Sequence, residues 1–197
     1  MNTKNKTLFI TQFSILLALE AIVCFTPLGS IPIGPIVATL MYIPVIVTAI
    51  LLGTAAGAAM GFAAGLFSFI VWTFMPPFAP MAFVFTPFYN EPGLNTGNIW
   101  SLAVCFVPRV LVGIAAGLSF KYLHKFFNGK KEVIAYFVSG LAASLTATVL
   151  VLGGIYIFFG RPYADLNAIG FDLLLGALGM VVLTNGIPEA LIGGVTA

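Results

Sequence analysis

Residues 100–125, WSLAVCFVPRVLVGIAAGLSFKYLHK, decide the fold, because a single charge, Arg109, interrupts an apolar run that lasts from Trp100 to Phe120. A helix rises about 1.5 Å per residue. Nine residues from Trp100 therefore carry Arg109 about 14 Å along the axis, near the middle of a hydrocarbon layer about 30 Å thick. A permanent cation at that depth must face protein, water or an anion, so it marks a site whose partner has to be found.

The rest of the chain agrees that this helix lies in a bilayer. Of 197 residues, 60% are hydrophobic and 7% charged, and the mean hydropathy is +1.11. That composition belongs to a polytopic membrane protein with no room for a separate soluble domain. The net charge of +2 gives no basic surface for nucleic acid. Cys24 and Cys105, the two cysteines, both lie inside apolar runs; they read as small hydrophobes, with neither a disulfide framework nor a metal site. No GxxxxGK[ST] phosphate loop occurs, so the chain does not hydrolyse ATP by itself. No nucleophile and base pair stands out, and the lone His124 falls in a basic connection. The chain is not an enzyme by this reading, and no cofactor or metal is called for.

Hydrophobic runs and turn signals predict an all-α integral membrane protein of six transmembrane helices, at about 7–25, 37–52, 53–72, 100–123, 133–159 and 171–197. The start, MNTKNK before an apolar run, resembles a signal peptide but has no small-x-small cleavage site, and so reads as a retained first helix. Pro44 is expected to kink the second helix. In the third, Gly53, Gly57, Gly61 and Gly65 recur every fourth residue. Such a row forms a smooth groove that packs either against a helix of the same chain or against a partner membrane protein. Residues 73–99 hold five prolines and the aromatics Phe83, Phe85, Phe88 and Tyr89. A connection of that length is expected to be a lid that packs on the membrane-embedded body. GRPYADLN, from Gly160, reads as a polar loop. No basic tail follows the last run, an ending that reads as truncated. With the N-terminus in the cytoplasm, Lys4, Lys6, Lys121, Lys125, Lys130 and Lys131 all fall inside and Arg161 outside, as the positive-inside rule asks of a multi-pass cell-membrane protein.

Several partners compete for Arg109. Glu20 on the first helix lies at a compatible depth. Asp172 is too near the outer surface and Glu189 too near the cytoplasm by residue rise. Pro108 leaves the carbonyl of Val104 without its helical donor, and the guanidinium beside it can bond that oxygen. The last candidate is a ligand carboxylate, which the guanidinium fork matches bidentately.

Four segments together carry a resemblance: SIPIGPIVATLMYIPVI, FVPRVLVGIAAGL, LVLGGIYIFFG and LTNGIPEA. They are similar to the substrate-binding S component of energy-coupling factor vitamin transporters, most of all to the pantothenate-specific branch. The resemblance implies a subunit that captures a vitamin on the outer face and delivers it through a transmembrane coupling subunit and two ATPases. The family's docking signature is a small-xxx-small pair on the first helix, matched here by Ser14 and Ala18, with the glycine row Gly53, Gly57, Gly61 and Gly65 able to widen that surface. Pantothenate, a monoanion with an amide and two hydroxyls, would be met by Arg109, Asn98, Tyr89, Tyr156 and Asn185, with Phe85 in the lid. The alternatives are another vitamin or precursor, such as a hydroxymethylpyrimidine or a pyridoxine-like compound, or a self-sufficient secondary transporter.

Overall fold

The computed structural model describes residues 3–29, 31–33, 36–38, 40–89, 98–127 and 132–197. Its helices are α1 (Thr3–Phe25), α2 (Tyr42–Leu52), α3 (Thr54–Phe74), α4 (Trp100–Phe126), α5 (Glu132–Leu166), α6 (Phe171–Val181) and α7 (Ile187–Thr196). Five are long and apolar enough to cross a membrane, α6 and α7 counting as one run of 26 residues. With 11 residues, α2 is about 16 Å long, roughly half a hydrocarbon layer.

The all-α expectation has one local exception. Strands β1 (Ile31–Ile33) and β2 (Ile36–Ala38) pair antiparallel, Ile31 opposite Ala38 and Ile33 opposite Ile36. Pro32 lies within β1, and prolines hold both themselves and the residues before them out of the helical region. The second helix therefore starts at Tyr42 instead of residue 37. Pro44 falls in its first turn, where no intrahelical donor is needed, and the Leu40 carbonyl accepts from the Ile43 amide at 3.1 Å. The proline opens α2 and does not kink it. One residue, Gly53, then separates α2 from α3; its φ of +95° is a backbone state that a side chain would strain.

Two further expectations change. GRPYADLN is helical: α5 runs through Pro162 to Leu166, because Tyr163 and Ala164 are buried in an apolar cluster that outweighs one lost backbone bond. Two residues past its end, Ala168 adopts the left-handed region with φ 52°. The lid also has structure. Beyond α3, Ala79–Val84 forms a 3-10 turn, and Met81 through Thr86 are buried. The segment 90–97, with Glu91 and Pro92, lies outside the described residues, as do Thr39, Lys130 and Lys131.

Between α6 and α7, Val182–Gly186 forms a wide π turn, in which the Ile187 amide donates to the Val182 carbonyl. Pro188, two residues into α7, cannot donate to the preceding turn and would crowd a carbonyl there. A wide turn relieves that conflict without breaking the helix.

Helices α3 and α4 pack with their backbones in contact. A Cβ placed on Gly61 would meet the Arg109 carbonyl, one on Gly113 the Gly57 carbonyl, and one on Gly117 the Thr54 side chain. The small-xxx-small row thus faces α4 of the same chain. Gly57, Gly61 and Gly65 are buried, and their face is not open for a partner. Ser14 and Ala18, by contrast, are exposed on α1.

Buried residues fall into two apolar clusters. One gathers Met41, Val45, Ile46, Met60, Ala64 and Val112. The other gathers Trp72, Phe83, Phe85, Val104, Phe159 and Leu174. Along α4, Val104 belongs to the second cluster and Val112 to the first, so Arg109 sits where the two meet.

Candidate functional site

Arg109 is 2% exposed and is the largest of the fully buried side chains. One terminal nitrogen donates to the Val104 carbonyl at 3.0 Å, the oxygen that Pro108 leaves without a helical donor. The other donates to Ser68 Oγ at 3.1 Å. The Phe85 ring lies 5.2 Å from the guanidinium carbon, close enough for a cation–π attraction. The Nε of Arg109 is buried with no acceptor.

The two flanking helices reach the site through matched spacing. On α4, Ser101, Cys105 and Arg109 recur every fourth residue and share one face. Ser101 Oγ donates to the Phe83 carbonyl at 2.6 Å, and Cys105 Sγ to the Gly65 carbonyl at 3.6 Å. On α3, Ser68 stands seven residues beyond Gly61, two turns along the same face. Trp72, one turn further, packs against Phe85 with the rings tilted and centroids 4.6 Å apart. The glycine contacts hold α4 close to α3, and that closeness lets a neutral hydroxyl on α3 meet the arginine. Thr73 Oγ1 pairs with Thr86 Oγ1 at 2.9 Å, which ties the lid to the end of α3.

Glu20 does not pair with Arg109. Among the described residues the ion pair within 4.0 Å is His124–Glu132, half exposed between α4 and α5. Glu20 is completely buried, one carboxylate oxygen accepting from Cys24 Sγ at 3.2 Å and the other unpartnered. Glu20 takes its hydrogen bond from Cys24, one turn along α1, and not from Arg109 on α4.

The remaining predicted site residues divide. Phe85 touches Arg109, and Tyr89 and Tyr156 pack against the same apolar cluster as Phe85. Tyr156 also stacks on Phe171, centroids 5.8 Å apart. Asn98 is exposed and accepts from the Trp100 amide at 3.3 Å, a role in starting α4. Asn185, 8% exposed, lies in the π turn, with Thr184 Oγ1 at 3.5 Å from its amide nitrogen and the adjacent Gly186 against Thr148 of α5. Ser68, Ser101 and Trp72 escaped the sequence reading. For Ser68 a signal existed in its heptad distance from Gly61.

The arrangement is a buried cation with neutral hydrogen-bond acceptors and an aromatic wall. It holds no metal cluster among the described residues. Such a centre suits recognition of an anion.

Comparison with known proteins agrees with that character. A pantothenic acid transporter, PanT, of Lactococcus lactis subsp. cremoris is 35% identical over 158 residues, covering 80% of this chain and 72% of the relative. A pantothenate transporter, PanT, of Leuconostoc mesenteroides subsp. mesenteroides is 30% identical over 203 residues, covering 98% of this chain and 88% of the relative. The family model described as "ECF transporter, substrate-specific component" matches residues 8–197. A match over nearly the whole chain leaves one conclusion: this protein belongs to the substrate-specific components of the ECF transporters, multi-pass proteins of the plasma membrane.

Proposed function

We propose that the protein binds pantothenate from the outer side of the membrane and hands it to a transmembrane coupling subunit that works with two ATPases. The observation that carries the reading is Arg109, a buried guanidinium whose Nε lacks an acceptor and which has no carboxylate within 4.0 Å among the described residues. A ligand carboxylate supplies the missing counter-charge and fills that donor. The names of both relatives point to the same vitamin. In this reading Tyr89, Tyr156, Asn98 and Asn185 meet the hydroxyls and amide of the ligand, and Phe85 closes over it.

The reading includes six crossings with the N-terminus in the cytoplasm, α2 counted with the hairpin before it. It also assigns the exposed Ser14 and Ala18 of α1 to contact with the coupling subunit, since close helix association in lipid needs small residues on an open face.

The test is binding by the purified chain without any ATPase. Pantothenate should bind, uncharged vitamins should not compete, and Arg109→Ala should weaken binding by about 100-fold or more, the scale of losing a charge-assisted contact in a desolvated site. Unchanged affinity in Arg109→Ala, or preference for a neutral vitamin, overturns it.

A further inference from the structure

Away from Arg109, the lipid-facing surface carries a groove of about 320 Å³ between residues 103–108 of α4 and 149–158 of α5. Its rim is set by the exposed side chains Val107, Val149 and Ile157. Two adjacent glycines on α5 shape it. A Cβ on Gly154 would meet Val104 of α4, whereas one on Gly153 meets nothing within 4 Å among the described residues. Gly154 therefore seats α5 against α4, and Gly153 leaves the space beside that contact open.

Every residue lining the groove is apolar. A water inside it would find no side-chain partner, and an empty groove forfeits the dispersion contacts of its walls. Hydrocarbon fills both needs. From Val149 to Phe158 is a rise of about 14 Å, close to the depth of one leaflet in a hydrocarbon layer about 30 Å thick. A helix about 10–12 Å across is too wide to enter such a groove and could lend it only side chains. A single acyl chain can follow its whole length.

The end of the groove nearest the lid has the chemistry of a headgroup level. Trp100, half-exposed, stacks on Phe158 across the two helices with centroids 4.6 Å apart, and tryptophan is enriched where hydrocarbon meets headgroups. Arg161 continues the four-residue spacing of Gly153 and Ile157 on α5, about 6 Å beyond Ile157. It is exposed, and no carboxylate lies within 4.0 Å of it among the described residues. Its guanidinium offers the planar fork that matches a phosphate.

We propose that the α4–α5 groove is a binding site for an anionic phospholipid of the lid-side leaflet, one acyl chain lying along Gly153 and the phosphate resting on Arg161. The inference goes beyond the vitamin reading and does not depend on what Arg109 binds.

The chain has two tryptophans, and Trp72 is buried, so lipid quenching of its fluorescence reports on Trp100 at the mouth of the groove. The full chain is placed in phosphatidylcholine vesicles at physiological ionic strength, where headgroups without a seated chain are screened. Phosphatidylglycerol brominated on its chains should then reach half-maximal quenching at roughly a fivefold lower fraction than brominated phosphatidylcholine, the effect of one basic residue on an anionic lipid. Gly153→Leu fills the groove without a clash and replaces glycine by a better helix former, so the chain stays folded; it should bring the two midpoints together. Arg161→Gln should do the same by removing the headgroup contact. Equal midpoints in the wild type overturn the inference, as does a preference that survives either substitution. Quenching of Trp100 by neither lipid would mean that protein, a second copy or a partner, covers the groove, and overturns it too.

Discussion

Arg109 is held by neutral acceptors, and that choice governs what each substitution near it should do. Ser68 fixes one terminal nitrogen without supplying charge, so Ser68→Ala should weaken ligand binding only about three- to tenfold, the range of one ordinary net hydrogen bond. Arg109→Lys keeps the charge but loses the planar fork; titration calorimetry should show a loss nearer that of Arg109→Ala than that of Ser68→Ala. A lysine variant with wild-type affinity would mean that charge alone suffices. The bond to Val104 was legible in the sequence, since a proline beside an arginine frees a carbonyl within the guanidinium's reach. The bond to Ser68 was not, because it depends on which α3 residue lies opposite α4, and periodicity within one helix does not fix the register between two. The separation of Glu20 from Arg109 was equally hidden, since equal depth says nothing about which way two side chains turn.

At the scale of elements, the α3–α4 contact is the frame of the site. Gly61 lies against the Arg109 backbone and Gly57 against Gly113, so any added carbon forces the helices apart. Gly61→Val should destabilise by about 1–3 kcal/mol through overpacking and weaken ligand binding in the same variant, because Ser68 would withdraw from the guanidinium; thermal unfolding and calorimetry in detergent read the two effects. The same substitution at Gly53 fills open space and acts only through its positive φ, so binding should survive there. Ser101→Ala would strip the donor from a buried Phe83 carbonyl, costing about 1–3 kcal/mol and loosening the lid at its root. The four-residue glycine period was plain in the sequence, although not which helix answers it. The extension of α5 through Pro162 was not readable, because the burial of Tyr163 and Ala164 that sustains it is a tertiary effect.

At the scale of the whole molecule, the proposed orientation makes a prediction that does not depend on the ligand. Phe88 in the lid and Tyr122 near the end of α4 are 74% and 69% exposed, and the proposal places them on opposite sides of the membrane. In intact cells, a membrane-impermeant maleimide should label Phe88→Cys at once and Tyr122→Cys only after permeabilisation. The native Cys24 and Cys105 are buried and should stay unlabelled in both conditions. The opposite pattern would invert the topology. Hydropathy made the five long runs visible, yet α2 was read too long, because residues 37–41 are as apolar as a helix while the prolines just before them, Pro32 and Pro35, favour an extended hairpin.

The π turn at Val182–Gly186 makes the final helix a device for setting angle. Each residue in a regular helix advances its neighbours by about 100°, so the wide turn fixes the rotation of α7 relative to α6. That rotation brings Gly193 against Gly140 and Ser144, and Gly194 against Phe137, all on α5. Deleting one residue of the turn would shorten the helix by only about 1.5 Å while swinging this glycine face through more than a quarter of a turn. A length change too small to disturb the crossing would then unseat the helix from its neighbour, so among natural variants of this chain insertions and deletions should be rarer at 182–186 than substitutions of the same residues.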